Sequence, residues 1–201
     1  NGRRLLWVSW QRPHQPWTQT QLYGSTLTEK DHWTQPQLLA GGQGDASIQQ
    51  PVFDAQHRIV ALNDQQGFWQ PWREQDGRLQ PLPGIGTDHA GAPWQMGGCN
   101  FLPVDERFYL LSGFEQGFGW LGLYDLDNAS LAQSWLPDYS RMRHLAVDAE
   151  YFYCIASHPA RGPAVLAIHR VSGAVSVLAQ LETGLGAEQV SRPQALEFAT
   201  S

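Results

Sequence analysis

Asp88 and His89 stand side by side in "GTDHAG", where a carboxylate and an imidazole could relay a proton or share a metal ion. A loop histidine that hydrogen-bonds its neighbours meets the same pattern and is the reading preferred here. His144 and Asp148 are four residues apart, but "RMRHLAVD" reads as strand and turn, so no helix face unites them. His14 and His32 fall in loops with no partner at metal-ligand spacing, and His57, His158 and His169 read as turn, loop and strand surface. No zinc site is expected. Serine chemistry on a strand-to-helix elbow needs Gly-x-Ser-x-Gly, and no such pentapeptide occurs; "YGSTL" and "GDASI" bring serine nearest to glycine without the spacing. The sequence therefore assigns no catalytic, cofactor-binding or metal-binding residue. Asp54, Asp64, Asp105, Asp125 and Asp148 sit mostly at turns, where Asp is favoured locally. Trp7, Trp10, Trp17, Trp69, Trp72, Trp94 and Trp120 could stack sugars, but most lie among apolar residues inside strands, which points to core packing.

The elements that carry these residues are short strands. Hydrophobic residues make up 42% of the 201 and charged ones 16%, low against a typical ~25%. A net charge of -6 with 13 scattered Lys and Arg disfavours a nucleic-acid or anionic-membrane surface. No stretch approaches the ~20 apolar residues of a membrane span. "NGRRLLWVSW" reads as a turn entering a strand, not as a signal peptide. Cys99 and Cys154 lie in the apolar runs "GGCNFL" and "YFYCIAS" and read as free buried thiols, which fits a reducing compartment.

Four segments repeat one pattern of turn, charge and apolar strand: "NGRRLLWVSW", "DAQHRIVALND", "VDERFYLLSG" and "VDAEYFYCIAS". Their first apolar residues, Leu5, Ile59, Phe108 and Tyr151, are 54, 49 and 43 residues apart. A period of roughly 40–50 residues with several strands each is the signature of propeller blades. A second apolar strand follows each, and Asp76-Gly77, Asp127-Asn128 and Ser172-Gly173 supply the residues that tight turns need. "IQQPVFD", "GAPWQMGGCNFLP" and "RMRHLAVD" read as innermost strands, with Pro51 and Pro93 at strand starts. The expected fold is all-β: a β-propeller fragment of antiparallel four-stranded blades, about three and a half in number. The expected blades span 1–39 (lacking an inner strand), 47–84, 92–137 and 140–181, with 190–201 beginning a link onward. Wide aromatic side chains would fill the layers between blades.

"LLWVSWQRPHQPWTQTQLYGSTL" resembles the propeller of bacterial members of the prolyl oligopeptidase family, the acylaminoacyl-peptidase and dipeptidyl-peptidase-like enzymes. The likeness rests on Ser9-Trp10, Pro16-Trp17 and Leu22-Tyr23, and continues through "IQQPVFDAQHRIVALNDQQGFWQPWR", Ala92-Pro93-Trp94 and Val190-Ser191-Arg192-Pro193. The usual Ser-Pro-Asp-Gly turns are replaced by "DAQH", "PVDE" and "VDAE". The resemblance implies a cytoplasmic serine peptidase whose propeller covers the active site and filters peptide substrates. Its partner would be an α/β-hydrolase domain of the same parent chain, holding the catalytic triad, and it implies no cofactor. Loops 11–19, 84–93 and 114–119 are expected at blade ends, and Phe114, Phe118 and Trp120 at an interdomain contact. The segment 192–200 reads as a spare strand able to fill the gap in the first blade, within one chain or between two copies. Blades of a wider ring should resist the tight four-bladed closure, so self-association is expected. A stand-alone ligand- or protein-binding propeller is the main rival reading, and a calcium-dependent lactonase-type propeller enzyme, which would need converging carboxylates, is a lesser one.

Overall fold

The computed structural model describes residues 2–42, 44, 46–95, 97–191, 193–194, 196 and 198–199. It is an all-β propeller segment, with no α-helix among the described residues. The first sheet has three strands: β1 (Arg4–Ser9), β2 (Gln21–Thr26) and β3 (Gln37–Gly41). The second orders β4 (Ile48–Phe53), β5 (Ile59–Asn63), β6 (Gln70–Gln75) and β7 (Arg78–Pro81). The third comprises β8 (Phe101–Pro103), β9 (Phe108–Glu115), β10 (Phe118–Asp125) and β11 (Ser130–Trp135). The fourth comprises β12 (Arg141–Val147), β13 (Tyr151–His158), β14 (Arg161–His169) and β15 (Val175–Gln180). All pairings are antiparallel and sequential, as in propeller blades.

Three cores lie between the four sheets. Leu22 meets Ile48, Ile59 and Ala61; Val60 and Leu62 meet Tyr109, Leu111 and Tyr124; Leu110 and Leu121 meet Phe152, Cys154 and Leu166. Successive residues of β5 thus face opposite neighbours, Ile59 and Ala61 one way, Val60 and Leu62 the other. The same holds for Tyr109, Leu110 and Leu111 on β9. Burial on both faces is why "IVALN" and "FYLLSG" read as unbroken apolar runs and not as alternating ones.

Tight turns follow the local chemistry. Asp76 and Gly77 both take positive φ, 51° and 74°, as a two-residue hairpin turn requires. Gln116 and Gly117 (φ 50° and 81°) do the same between β9 and β10. At Asp127-Asn128 the left-handed residue is instead Ala129, at φ 52°.

The inner strand of the third blade departs from the sequence expectation. Of "GAPWQMGGCNFLP" only Phe101–Pro103 forms strand; Met96 lies outside the described residues. Pro93 cannot donate to a ladder and Gly97 adopts φ 79°, so the preceding residues loop. Pro93 therefore lies in a loop. Pro51 lies within β4, not at its start. Pairing there skips from Gln49 to Val52 over a bulge with Gln50 at φ 54°, so its missing N–H removes no ladder bond. The expected strand 192–200 falls partly outside the described residues, and the described ones (193–194, 196, 198–199) are not strand.

Candidate ligand-binding rim

Strand direction alternates within each blade, so connections fall on two opposite rims. One rim carries the turns from the first to the second strand and from the third to the fourth in each complete blade, and these are short. Asp54, Asp105 and Asp148 repeat one device there. Each Oδ1 accepts two backbone N–H groups: Gln56 and Arg58 (both 2.9 Å), Arg107 and Phe108 (both 2.8 Å), Glu150 (2.8 Å) and Tyr151 (2.7 Å). Asp54 Oδ2 also accepts from the Tyr109 hydroxyl and Arg58 Nε, both at 2.8 Å. Burial works against its ionisation, but these bonds and the Arg58 charge outweigh it and hold the carboxyl below its ordinary range. Asp125 takes both ends of the Arg107 guanidinium (3.0 and 2.7 Å) and is held lower still, chiefly by that pair. These carboxylates are engaged by their own turns. Among the described residues no three His, Cys, Asp or Glu side chains converge as a metal ion would need.

Loops 11–19 and 114–119 fall on the other rim, and loop 84–93 starts against Ala129 and reaches that rim at Asp88, whose backbone bridges Phe114. Asp88 and His89 separate there. The Asp88 carboxylate accepts from the Trp69 and Ala90 amides (3.1 and 3.5 Å). His89 turns into the layer between the second and third blades, fully buried, with Nδ1 2.9 Å from the Ser112 carbonyl. That carbonyl can only accept, so Nδ1 carries the proton and Nε2, without a partner among the described residues, is bare. Burial pushes the His89 pKa down to about 4, against the opposing carbonyl bond. The pair is not an acid–base couple. Both thiols are free, and burial raises each, Cys154 to about 12.

The tryptophans divide. Trp72 and Trp135 are buried, and Trp120 packs edge-on to His89 at 5.4 Å. Trp94 is 74% exposed and tilts against Trp17 at 4.1 Å, and Trp10 is exposed as well. These two are rim residues, not the core residues that the sequence suggests; each follows a strand expectation that fails or ends at its position. Trp120 and Phe118 share one face of β10, with Phe118 exposed at the hairpin end. Phe114 lies on the opposite face, half-buried, its backbone bridged to Asp88 and its ring beneath the Arg141 guanidinium at 6.0 Å.

Because β8 is only three residues long, a gap opens between β4 and β12 at the long-loop rim. It is a cavity of about 290 Å³ walled by Gln49, Gln50 and Asn100 on one side and Arg141, Arg143 and His144 on the other. Gln50 Nε2 donates to Asn100 Oδ1 (3.0 Å), and the Asn100 backbone N–H donates to Gln50 Oε1 (2.7 Å). Gln50 and His144 occupy matching bulges of β4 and β12, both left-handed, at φ 54° and 52°. Such backbone costs on the order of 1–3 kcal/mol and is retained where surrounding structure enforces it. Sequence reasoning passed over Arg141 and Arg143, although two arginines two apart on an inner strand, with no acidic neighbour, were a legible signal.

No family model and no curated protein sequence matches this chain. Solved structures do share its fold. A Mycobacterium tuberculosis puromycin-hydrolyzing peptidase superposes with a TM-score of 0.83 at 23% identity, over 96% of this chain and 29% of that one. A puromycin hydrolase gives 0.82 at 22% identity, over 92% of this chain and 28% of its own. A prolyl endopeptidase gives 0.61 at 14%, over 86% and 24%. The chain spans less than a third of the length of each of these.

Proposed function

We propose that this chain is the propeller portion of a prolyl-oligopeptidase-like serine peptidase, where it covers the active site and filters peptide substrates. The observation that carries the reading is the superposition of nearly the whole chain on less than a third of a puromycin-hydrolyzing peptidase. The ordered likeness of "SWQRPHQPW" and "IQQPVFDAQHRIVALND" to that family supports it. The long-loop rim is the face that would meet an α/β-hydrolase domain, since it carries the exposed aromatics Trp10, Trp94 and Phe118. The triad would come from that domain, and the whole enzyme would act on short peptides in the cytoplasm, where Cys99 and Cys154 stay reduced.

The 201-residue chain alone is expected neither to hydrolyse aminoacyl or peptidyl chromogenic substrates nor to react with a fluorophosphonate probe. Stoichiometric labelling of any serine in it would overturn the accessory role. A Gly-x-Ser-x-Gly elbow encoded roughly 100 residues beyond Ser201 would support the parentage.

A further inference from the structure

The cavity between β4 and β12 is lined by two arginines. The chain has a net charge of -6, yet among the described residues none that lines the cavity is acidic. Arg58 and Arg107 each hold an aspartate within 2.8 Å, whereas no carboxylate among the described residues pairs with Arg141 or Arg143. Both are exposed residues of the innermost strand, two apart on one face, and both line the cavity. The wall opposite is neutral and fixed. Gln49 Nε2 is tied to the Gly91 carbonyl (3.2 Å), and Gln50 and Asn100 hold each other through two bonds. A guanidinium presents paired N–H donors matched to a carboxylate, and two of them beside a preorganised amide wall form an anion receptor. The volume, about 290 Å³, suits the end of a small ligand and excludes a folded partner. Trp94 at the mouth adds an exposed apolar surface against which an adjoining aliphatic segment can lie.

We propose that this cavity is a subsite for the carboxylate of a short peptide, gripped by Arg141 and Arg143; the peptide class rests on the peptidase reading above. The carboxylate is either the peptide's C-terminus or an acidic side chain, and one experiment separates the two. Titration calorimetry of the 201-residue chain uses Ala-Ala-Ala, its C-terminal amide, Ala-Glu-Ala amide, and succinate. Tighter binding of the free acid than of its amide, by tenfold or more, identifies the C-terminus. Equal gain from the glutamate-bearing amide identifies the side chain. In either case Arg141→Gln with Arg143→Gln should weaken binding at least tenfold, and Arg143→Glu should abolish it. If the double variant fails to fold, Arg143→Gln alone serves, since that side chain has no hydrogen bond or ion pair with any described residue to lose. Binding that ignores the carboxylate, or that survives both substitutions, overturns the subsite. Binding of succinate without any peptide overturns the peptide class. Absence of all binding overturns the subsite but leaves the propeller reading, which stands on the fold.

Discussion

His89 is neutral by necessity, because its ring is enclosed between two blades with one nitrogen committed to a carbonyl. Its pKa, near 4 when folded, lies below the ~6.5 of an unfolded histidine, so the unfolded chain binds the extra proton between these values. Stability from this group is therefore complete above about pH 6.5 and is lost as pH falls toward 4. The loss is on the order of 3 kcal/mol. Urea unfolding at pH 7, 6 and 5 should show it, and His89→Leu should flatten the slope by about one proton. A slope unchanged in that variant would remove His89 as its source. Gly113 offers a second residue-scale test. It pairs with Trp120 across β9 and β10, and a Cβ there would lie 2.4 Å from the indole ring. Gly113→Ala should displace Trp120 and cost about 1–3 kcal/mol, as overpacking does. The midpoint in denaturant and near-ultraviolet dichroism would register it. Neither contact was legible in the sequence, because each joins residues whose nearness depends on strand register and blade stacking.

At the scale of elements, the sequence was legible wherever a strand carried its own pattern. β5, β9 and β13 follow from their apolar runs and from the charged turn before each. β8 does not, because in "GAPWQMGGCNFLP" the apolar residues mimic a strand while Pro93 and Gly97 set the backbone. That misreading also hid the cavity, which exists only because the strand is short. The hairpin joining β9 to β10 was expected to contribute to a contact surface, and its residues sit on the rim proposed to face the hydrolase domain. Phe118 is its exposed aromatic, and Phe114 is anchored beside it under Arg141. Replacing both with Ser in a full-length enzyme should raise KM or weaken domain docking while leaving the blade folded. Unchanged turnover together with unchanged thermal stability would take this hairpin out of the interface.

For the whole molecule, among the described residues, the first and fourth sheets each have a face with no other sheet against it. On the first, Trp7 and Tyr23 stack at 5.7 Å with Leu5 and Leu38 exposed nearby. On the fourth, Tyr151 and Tyr153 lie at 6.1 Å, with Val165 exposed. Contiguous apolar area of this kind is seldom left open in a soluble monomer. The isolated chain is expected to self-associate, and sedimentation at rising concentration checks this beside a chain ending at Gln189. A clean monomer at high concentration would defeat the expectation, and an oligomer surviving the truncation would exclude exchange of the 192–200 segment alone. The three separate cores have a further consequence, for cooperativity. Each is shared by only two neighbouring sheets, so stability is a sum of blade terms and nearest-neighbour couplings, as in a linear array of repeats. The second and third sheets have two couplings and the end sheets one. Native-state hydrogen exchange should then show a gradient, with amides of β5 and β9 slowest and those of β1 and β15 opening first in sub-global steps. A single opening energy for all four sheets would mean that the array melts as one unit.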